Sequence, residues 1–315
     1  MTATAPTGET VDVYVGPTAN ADIDAAVARG GARPVTEVAT ASAVVWLDPT
    51  DVDGLRQKLH SAISWVQLPA AGVEAWLPLI EQDRIRRYTS ARGAYGRTVA
   101  EHTLALLLAG ARNLHLNARA RSWSNDVERA GQPLDGQHVL IVGCGSIGTA
   151  LIPLLVQLGA LPIAVTRSGR TVDGATSSIS FDELGPPIYA QAPYVVLAAP
   201  STEDTRRLIG RDEFAAMRTD TWLVNVGRGD LVDTAALVDA LRTGEIRGAA
   251  LDVTDPEPLP EDHPLWNEPR ALITPHNANP PAALERRLAE RVETNVRRFV
   301  TGDDLIGAVD PALGY

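Results

Sequence analysis

The sequence predicts an α/β protein made of two Rossmann-like parallel-sheet domains with a cleft between them. Short apolar runs of strand length alternate with amphipathic helical stretches along the chain, the pattern of βαβ units. A glycine-rich turn at 143–148 joins one such strand to one such helix. With 315 residues, the chain is longer than one core of ordinary size accommodates.

The elements follow in order. Residues 11–15 read as the first strand and 21–29 as the helix after it, with further short buried strands at 43–47 and 64–68. Residues 97–114 form a helix, because Val99, Leu104, Leu107, Leu108 and Ala111 recur at roughly helical spacing. A second series opens with a strand at 137–142, followed by a helix that places Ile147, Leu151, Leu154, Leu155 and Leu158 on one face. Strands are expected at 161–165, 194–198, 222–226, 247–253 and 272–274, and helices at 211–217 and 234–244, the latter stopped by Gly244 as a C-cap. A charged amphipathic helix spans 281–301. Pro153 falls inside the helix after the glycine turn, removes one backbone hydrogen bond and should kink it. If the last helix packs back on the first unit, residues 1–101 and 281–315 form a substrate-binding (catalytic) domain and 102–280 a dinucleotide-binding domain.

Composition narrows the function. Lysine and arginine number 28 against 39 acidic residues, a net charge of −11. Such a chain has no bulk attraction for nucleic acid or anionic membrane. The single cysteine, Cys144, allows no intrachain disulfide and reads as a small buried residue rather than a redox switch. Residues 1–10 lack a basic stretch followed by an apolar run, so no signal peptide is expected. The apolar stretch 104–111 is too short to span a bilayer. The expected location is the cytoplasm, and no metal site is predicted.

Gly143, Gly145 and Gly148 stand in strand–loop–helix context. In such a loop the first glycine permits the tight turn, the second lets backbone approach a pyrophosphate, and the third lets helix and strand pack closely. The helix N-terminus then faces the negative charge. The alternative is a glycine-rich structural turn. After the next strand come Thr166, Arg167, Ser168, Gly169 and Arg170, with no carboxylate where an NAD enzyme binds the ribose 2′-hydroxyl. Two guanidinium groups suit a 2′-phosphate, so NADP(H) is favoured and NAD(H) is the alternative.

Hydride transfer to a 2-oxo acid needs a cation for the carboxylate, a proton donor for the developing alkoxide, and a group that keeps the donor oriented and charged. Loops after the strands of the second series offer Arg228, Glu257 and His276. A carboxylate beside an imidazole favours the protonated ring and fixes its tautomer. Taken singly, each of these residues is as readily a loop residue; their order makes the case.

The chain resembles the D-isomer-specific 2-hydroxyacid dehydrogenases over nearly its whole length. The matching segments are 143–148, 200–205, 225–229, 248–253, 257–260 with 264–266, and 274–276, together with Val99-Ala100-Glu101-His102 and the loop 68–73. The resemblance implies that Arg228 binds and polarises the 2-oxo acid, that His276 donates the proton in reduction and accepts it in oxidation, and that Glu257 partners His276. It implies that amides around Ala71, Gly72 and Val73 hold the substrate carboxylate. Ser146 and Ile147 would face the pyrophosphate, Val226 and Gly227 would line the nicotinamide pocket, and Asp252 would sit near the carboxamide. Ala199, Pro200, Thr205 and Asn279 join the implied cofactor contacts. Asp252 also reads as a strand-end cap, and Trp46 as core or interface packing, with contact to substrate the alternative. A homodimer is implied as well.

Within the family, the short length and the Arg-bearing loop resemble NADP-linked glyoxylate/hydroxypyruvate reductases. An NAD-linked D-2-hydroxyacid or phosphoglycerate-type dehydrogenase is the alternative, and a dinucleotide-sensing binding protein a second one. Thr254 stands where an aromatic residue is usual, Ser90 where an asparagine is common, and Asn277 and Asn279 follow His276 where the family is apolar then small.

Overall fold

The computed structural model describes residues 10–123 and 131–314, so the polar stretch 1–9 and Tyr315 lie outside the described residues. The chain divides into two compact units, Met1–Tyr95 with Pro280–Tyr315, and Gly96–Asn279. The first crossing therefore falls ahead of the long helix, whereas the sequence places it within that helix, at 101/102.

The first unit contains β1 (Asp12–Gly16), α1 (Ala21–Arg29), β2 (Arg33–Val35), β3 (Ala43–Trp46), α2 (Val52–Lys58), β4 (Trp65–Gln67), α3 (Leu77–Gln82) and β5 (Arg87–Thr89). The second contains α4 (Gly96–Ala111), α5 (Leu114–Asn117), β6 (His138–Val142), α6 (Ser146–Gln157), β7 (Leu161–Thr166), β8 (Ser177–Ser180), α7 (Pro186–Tyr189), β9 (Tyr194–Leu197), α8 (Arg211–Ala216), β10 (Trp222–Asn225), α9 (Thr234–Thr243), β11 (Gly248–Leu251) and β12 (Ala271–Ile273). The last helix, α10 (Pro281–Thr301), belongs to the first unit.

In the first unit five parallel strands are ordered β2-β1-β3-β4-β5. The Asn20 side chain starts α1 by accepting from the Asp22 and Ile23 amides at 3.1 Å each, and Asp22 and Asp24 suit the positive end of the helix. Its buried face, Ile23, Ala26 and Val27, meets α10, where Gly30 leaves room for Val296: a Cβ there would lie 2.6 Å from that side chain. Trp46 and Trp76 fill one core with Val66, so Trp46 is a packing residue, while Trp65 packs on Phe299 of α10.

In the second unit seven parallel strands are ordered β12-β11-β10-β9-β6-β7-β8. Their direction of winding reverses between β6 and β9, the switch point at which ligands of such sheets bind. The pleat sends Val139 and Ile141 of β6 into one core with Leu107 of α4 and Leu151, Ile152 and Leu155 of α6. Leu140 and Val142 enter another core, with Phe214, Leu237 and Leu241. Both faces are buried, which is why these strands read as continuous apolar runs. Helix α6 runs unbroken through Pro153; Pro153 and Thr149 are exposed, so the Thr149 carbonyl that loses its donor faces water. Helix α9 ends on Gly244 at φ 77°. Among the described residues no helix is long and apolar enough to cross a membrane.

Candidate active site

Strand β6 delivers the glycine loop to the switch point. Gly143 has φ +96°, and a Cβ on it would lie 2.5 Å from the Ala199 amide nitrogen, so neither the backbone conformation nor the space admits a side chain. At Gly145 a Cβ would meet nothing within 4 Å, which leaves open space above the loop. At Gly148 a Cβ would come within 2.9 Å of Cys144 Sγ and 3.2 Å of Ile141, the close packing of helix on strand. Helix α6 starts at Ser146 with Gly145 as its N-cap and no side-chain cap, so its first N–H groups remain available to an anion. The three glycines thus fit a dinucleotide pyrophosphate position by position. Burial pushes the Cys144 thiol up to about 11, in keeping with an inert packing residue.

Strand β7 ends at Thr166, which is buried with its hydroxyl unpartnered among the described residues. Arg167, Ser168 and Arg170 beyond it are exposed. Arg170 Nη2 donates to the Cys144 carbonyl at 2.8 Å and ties this loop to the glycine loop. After β9, Ala199 is buried and Pro200 exposed. Thr205 is buried; its hydroxyl donates to the Pro200 carbonyl at 2.7 Å and accepts from the Thr202 amide at 2.8 Å, folding the loop on itself.

Strand β10 leads through buried Val226 and Gly227 to Arg228. Asn225 shapes this turn: its Oδ1 accepts from the Gly227 amide at 3.1 Å and its Nδ2 donates to the Arg228 carbonyl at 2.8 Å. A Cβ on Gly229 would collide with the Thr254 carbonyl, so the Arg228 turn lies directly on the loop that carries Glu257. Thr254, the departure from the usual aromatic residue, donates its amide to Glu257 Oε2 at 3.4 Å and its hydroxyl to the Pro256 carbonyl at 2.9 Å.

Glu257 Oε1 lies 2.6 Å from His276 Nδ1. A carboxylate only accepts, so Nδ1 carries the hydrogen of this bond and Nε2 points elsewhere. The side chains are 55% (His276) and 41% (Glu257) exposed. His276 has φ 48°, in the left-handed region. Its amide donates to the Asp252 carbonyl at 2.8 Å. The Asp252 carboxylate accepts from Thr274 Oγ1 at 2.6 Å, the Asn277 amide at 3.0 Å and the Ala278 amide at 3.1 Å, with His102 Nε2 at 3.4 Å. Burial alone would raise its pKa, but these donors outweigh it and hold the group below the usual carboxylate range. Asp252 thus takes the strand-end role, turned inward onto the residues around His276. Asn277 is exposed; Asn279 is half-buried, and its Oδ1 has no partner among the described residues.

In the first unit, the loop after β4 is fixed from within. Leu68 donates its amide to the Thr89 carbonyl at 2.7 Å, Tyr95 its hydroxyl to the Pro69 carbonyl at 2.8 Å, and the Ala91 amide bonds the Ala70 carbonyl at 2.9 Å. Buried Gln67, Thr89 and Asn295 interlock beneath it: Gln67 Oε1 accepts from Thr89 Oγ1 at 2.9 Å and Asn295 Nδ2 at 2.8 Å. The amides of Ala71, Gly72 and Val73 make no backbone hydrogen bond among the described residues, which leaves three donors in a row. Ser90 is buried and accepts from the Arg92 amide at 3.2 Å. No group of three His, Cys, Asp or Glu is arranged to hold a metal among the described residues.

Sequence reasoning missed Asn225, Thr274, the role of His102, and Gly96, where a Cβ would lie 2.6 Å from the Ser146 carbonyl. An amide side chain two residues before a Gly-Arg turn was a usable signal for Asn225; the others depend on contacts distant in sequence.

The sequence profile of the NAD-binding domain of D-isomer specific 2-hydroxyacid dehydrogenases matches residues 104–278. An uncharacterized protein in the proB 3′ region of Corynebacterium melassecola is 39% identical over 263 residues, covering 82% of this chain and 85% of that one. Glyoxylate/hydroxypyruvate reductase A of Yersinia enterocolitica is 26% identical over 291 residues, 87% of each chain. D-3-phosphoglycerate dehydrogenase of Mycobacterium leprae is 33% identical over 219 residues, 68% of this chain but only 40% of its own length. The crystal structure of a D-isomer specific 2-hydroxyacid dehydrogenase from Xanthobacter autotrophicus Py2 in complex with NADPH and MES superposes with a TM-score of 0.83 at 25% identity, covering 97% of this chain and 99% of that one. The glycine loop at the sheet's switch point, the paired Glu257 and His276, and these likenesses lead to one conclusion: the chain belongs to the D-isomer specific 2-hydroxyacid dehydrogenase family of oxidoreductases.

Proposed function

We propose that the protein reduces glyoxylate, hydroxypyruvate or a similar small 2-oxo acid to the D-2-hydroxy acid, with NADPH as the favoured cofactor and NADH as the alternative. The observation that carries this is the 2.6 Å contact between His276 and Glu257, on loops of the unit that presents the glycine loop and the Arg228 turn. A nicotinamide dinucleotide held by the glycine loop would supply or accept the hydride. Arg228 holds the 2-oxo acid and polarises its carbonyl. His276, with Nδ1 engaged by Glu257, donates a proton from Nε2 to the carbonyl oxygen as alkoxide charge develops, and takes it back in oxidation. The amides of Ala71, Gly72 and Val73 bind the substrate carboxylate.

Ser146 and Ile147 receive the pyrophosphate with Gly143, Gly145 and Gly148. Thr166, Arg167, Ser168 and Arg170 form the 2′-phosphate pocket, with Arg167, Ser168 and Arg170 exposed at its mouth. Ala199, Pro200, Val226, Gly227 and Asn279 line the nicotinamide end; Thr205 and Asp252 support it through the protein contacts already described. The relatives named for glyoxylate reduction and the NADPH in the Xanthobacter structure support this assignment. An NAD-linked phosphoglycerate-type dehydrogenase is the alternative, since the M. leprae enzyme is 33% identical over the 219 residues it shares with this chain. A homodimer in the cytoplasm completes the proposal, the assembly resting on the family resemblance and the location on the single buried thiol.

Steady-state reduction of glyoxylate, hydroxypyruvate, pyruvate and 3-phosphohydroxypyruvate, with NADPH and NADH in parallel, tests the assignment. The expected result is the highest kcat/KM for glyoxylate or hydroxypyruvate with NADPH. A preference for the phosphorylated acid with NADH overturns it.

A further inference from the structure

We infer that His102 is a positioning residue for catalysis: through Thr274 and Asp252 it holds the left-handed turn that presents His276. The inference rests on the reading of His276 as the proton donor.

A non-glycine residue at φ 48° adopts a conformation that L side chains avoid, and it persists only where its surroundings over-determine it. Here the surroundings are the Asp252 carboxylate and two carbonyls, since the His276 amide also reaches the Thr274 carbonyl at 3.0 Å. Asp252 takes the His276 amide on its carbonyl, and the Asn277 and Ala278 amides on its side chain. The carboxylate is buried and must itself be oriented. Thr274 Oγ1 gives its hydrogen to Asp252 Oδ1 at 2.6 Å. That leaves a hydroxyl lone pair facing His102 Nε2 at 3.0 Å, so His102 carries its hydrogen on Nε2. His102 Nε2 also stands 3.4 Å from Asp252 Oδ1 and shares its donor between the two oxygens.

His102 comes from α4, the helix whose first residue, Gly96, is pressed against the Ser146 carbonyl at the start of α6. One rigid helix therefore touches both the start of the dinucleotide helix and the support of the His276 turn. A shift of the turn moves His276 relative to Glu257 and to the reacting carbonyl, and misplacement of about 1 Å costs on the order of 100-fold in rate.

The test uses the full-length enzyme with Thr274→Val, Thr274→Ser and His102→Leu, each checked for wild-type Tm. Readouts are kcat and KM for the best 2-oxo acid, NADPH affinity by fluorescence titration, and amide hydrogen exchange at 276–278. Thr274→Val and His102→Leu are expected to lower kcat about 10- to 100-fold, with NADPH affinity held and exchange at 276–278 accelerated. Thr274→Ser, which keeps the hydroxyl, is expected to restore both rate and protection. Unchanged kcat in Thr274→Val and His102→Leu overturns the inference, whether or not exchange rises, and so does a loss confined to NADPH affinity. If the wild-type enzyme reduces no 2-oxo acid while exchange still responds to the substitutions, the reaction assignment fails and the structural link from His102 to the turn stands.

Discussion

Gly145→Ala separates a ligand-binding glycine from a folding glycine. In the free protein an added methyl at this position meets nothing within 4 Å and φ is −80°, while ψ, −146°, lies just beyond the extended region and costs alanine about 1 kcal/mol. Alanine is a poorer N-cap than glycine by roughly 0.5–1 kcal/mol, and it lowers the entropy of the unfolded chain by about 0.4–1 kcal/mol. The last term opposes the other two, so the Tm should move by no more than about 2–4 °C. In the proposed function the open space is where the pyrophosphate approaches. A methyl there holds the phosphate away from the amides at the start of α6. Losing two charge-assisted hydrogen bonds at about 1.5 kcal/mol each gives roughly 3 kcal/mol, or about 100-fold in Kd. Gly143→Ala is the contrast: at φ +96° and with a Cβ 2.5 Å from the Ala199 nitrogen, it strains the fold itself. Left-handed strain of about 1–2 kcal/mol and overpacking of about 1–3 kcal/mol should lower the Tm by roughly 5–15 °C. The assays are thermal denaturation without cofactor and fluorescence titration with NADPH and NADH. Gly145→Ala protein that binds both cofactors like wild type refutes the placement of the pyrophosphate.

His276→Ala should lower kcat by about 100- to 10,000-fold while NADPH titrates as in wild type; a near-normal kcat refutes the proton-donor role. Arg167→Ala with Arg170→Ala should weaken NADPH about 10- to 1,000-fold. NADH should weaken much less and through Arg170 alone, because Arg170 also braces the glycine loop; equal losses refute the 2′-phosphate pocket. Asp252 has a folded pKa below its ordinary value, so its contribution to stability is complete above the usual carboxylate range and is lost as pH falls through the folded value. Between pH 6 and 3 the Tm of wild type should therefore fall more steeply than that of Asp252→Asn, and parallel curves refute the buried-carboxylate account. Cys144, with its thiol pushed up to about 11, should react with a thiol reagent at pH 8 only when the protein is unfolded; rapid labelling of the native enzyme contradicts its burial.

Much of the fold was legible because the second sheet is buried on both faces. Strands such as β9, Tyr194–Leu197, read as unbroken apolar runs, and the helices α1 and α10 begin and end at the expected residues. What stayed hidden is short or polar. Strands β2 and β5 have three residues each, β2 contains Pro34, and neither shows a period; β8 is Ser-rich. Such edge strands form because a neighbour offers a ladder, as Asp12 of β1 does opposite Arg33, and that information is not local. At the site, Arg228, Glu257 and His276 stand out as chemistry-bearing types in loops after strands, and their roles come from the family resemblance. Their supports do not stand out, since the partners of Asp252 lie at 102, 274, 277 and 278.

Asp252 shows why residue type predicts a location better than a role. An acid at the end of a parallel strand, in a dinucleotide-binding unit, is equally suited to face a ligand or to cap the chain that follows. The number of donors within reach decides between the two. Asp252 has four, all from the protein, at 2.6 to 3.4 Å, and is only 3% exposed. A carboxylate buried with that many donors stays ionised and fixed in place. It can then hold the His276 turn in a backbone conformation that the turn would not keep unaided. Glu257, 41% exposed with one short contact to an imidazole, is free to follow that ring as it gains or loses a proton. The two acids thus divide the work by burial: the buried one sets where His276 stands, and the exposed one sets which of its nitrogens carries the hydrogen.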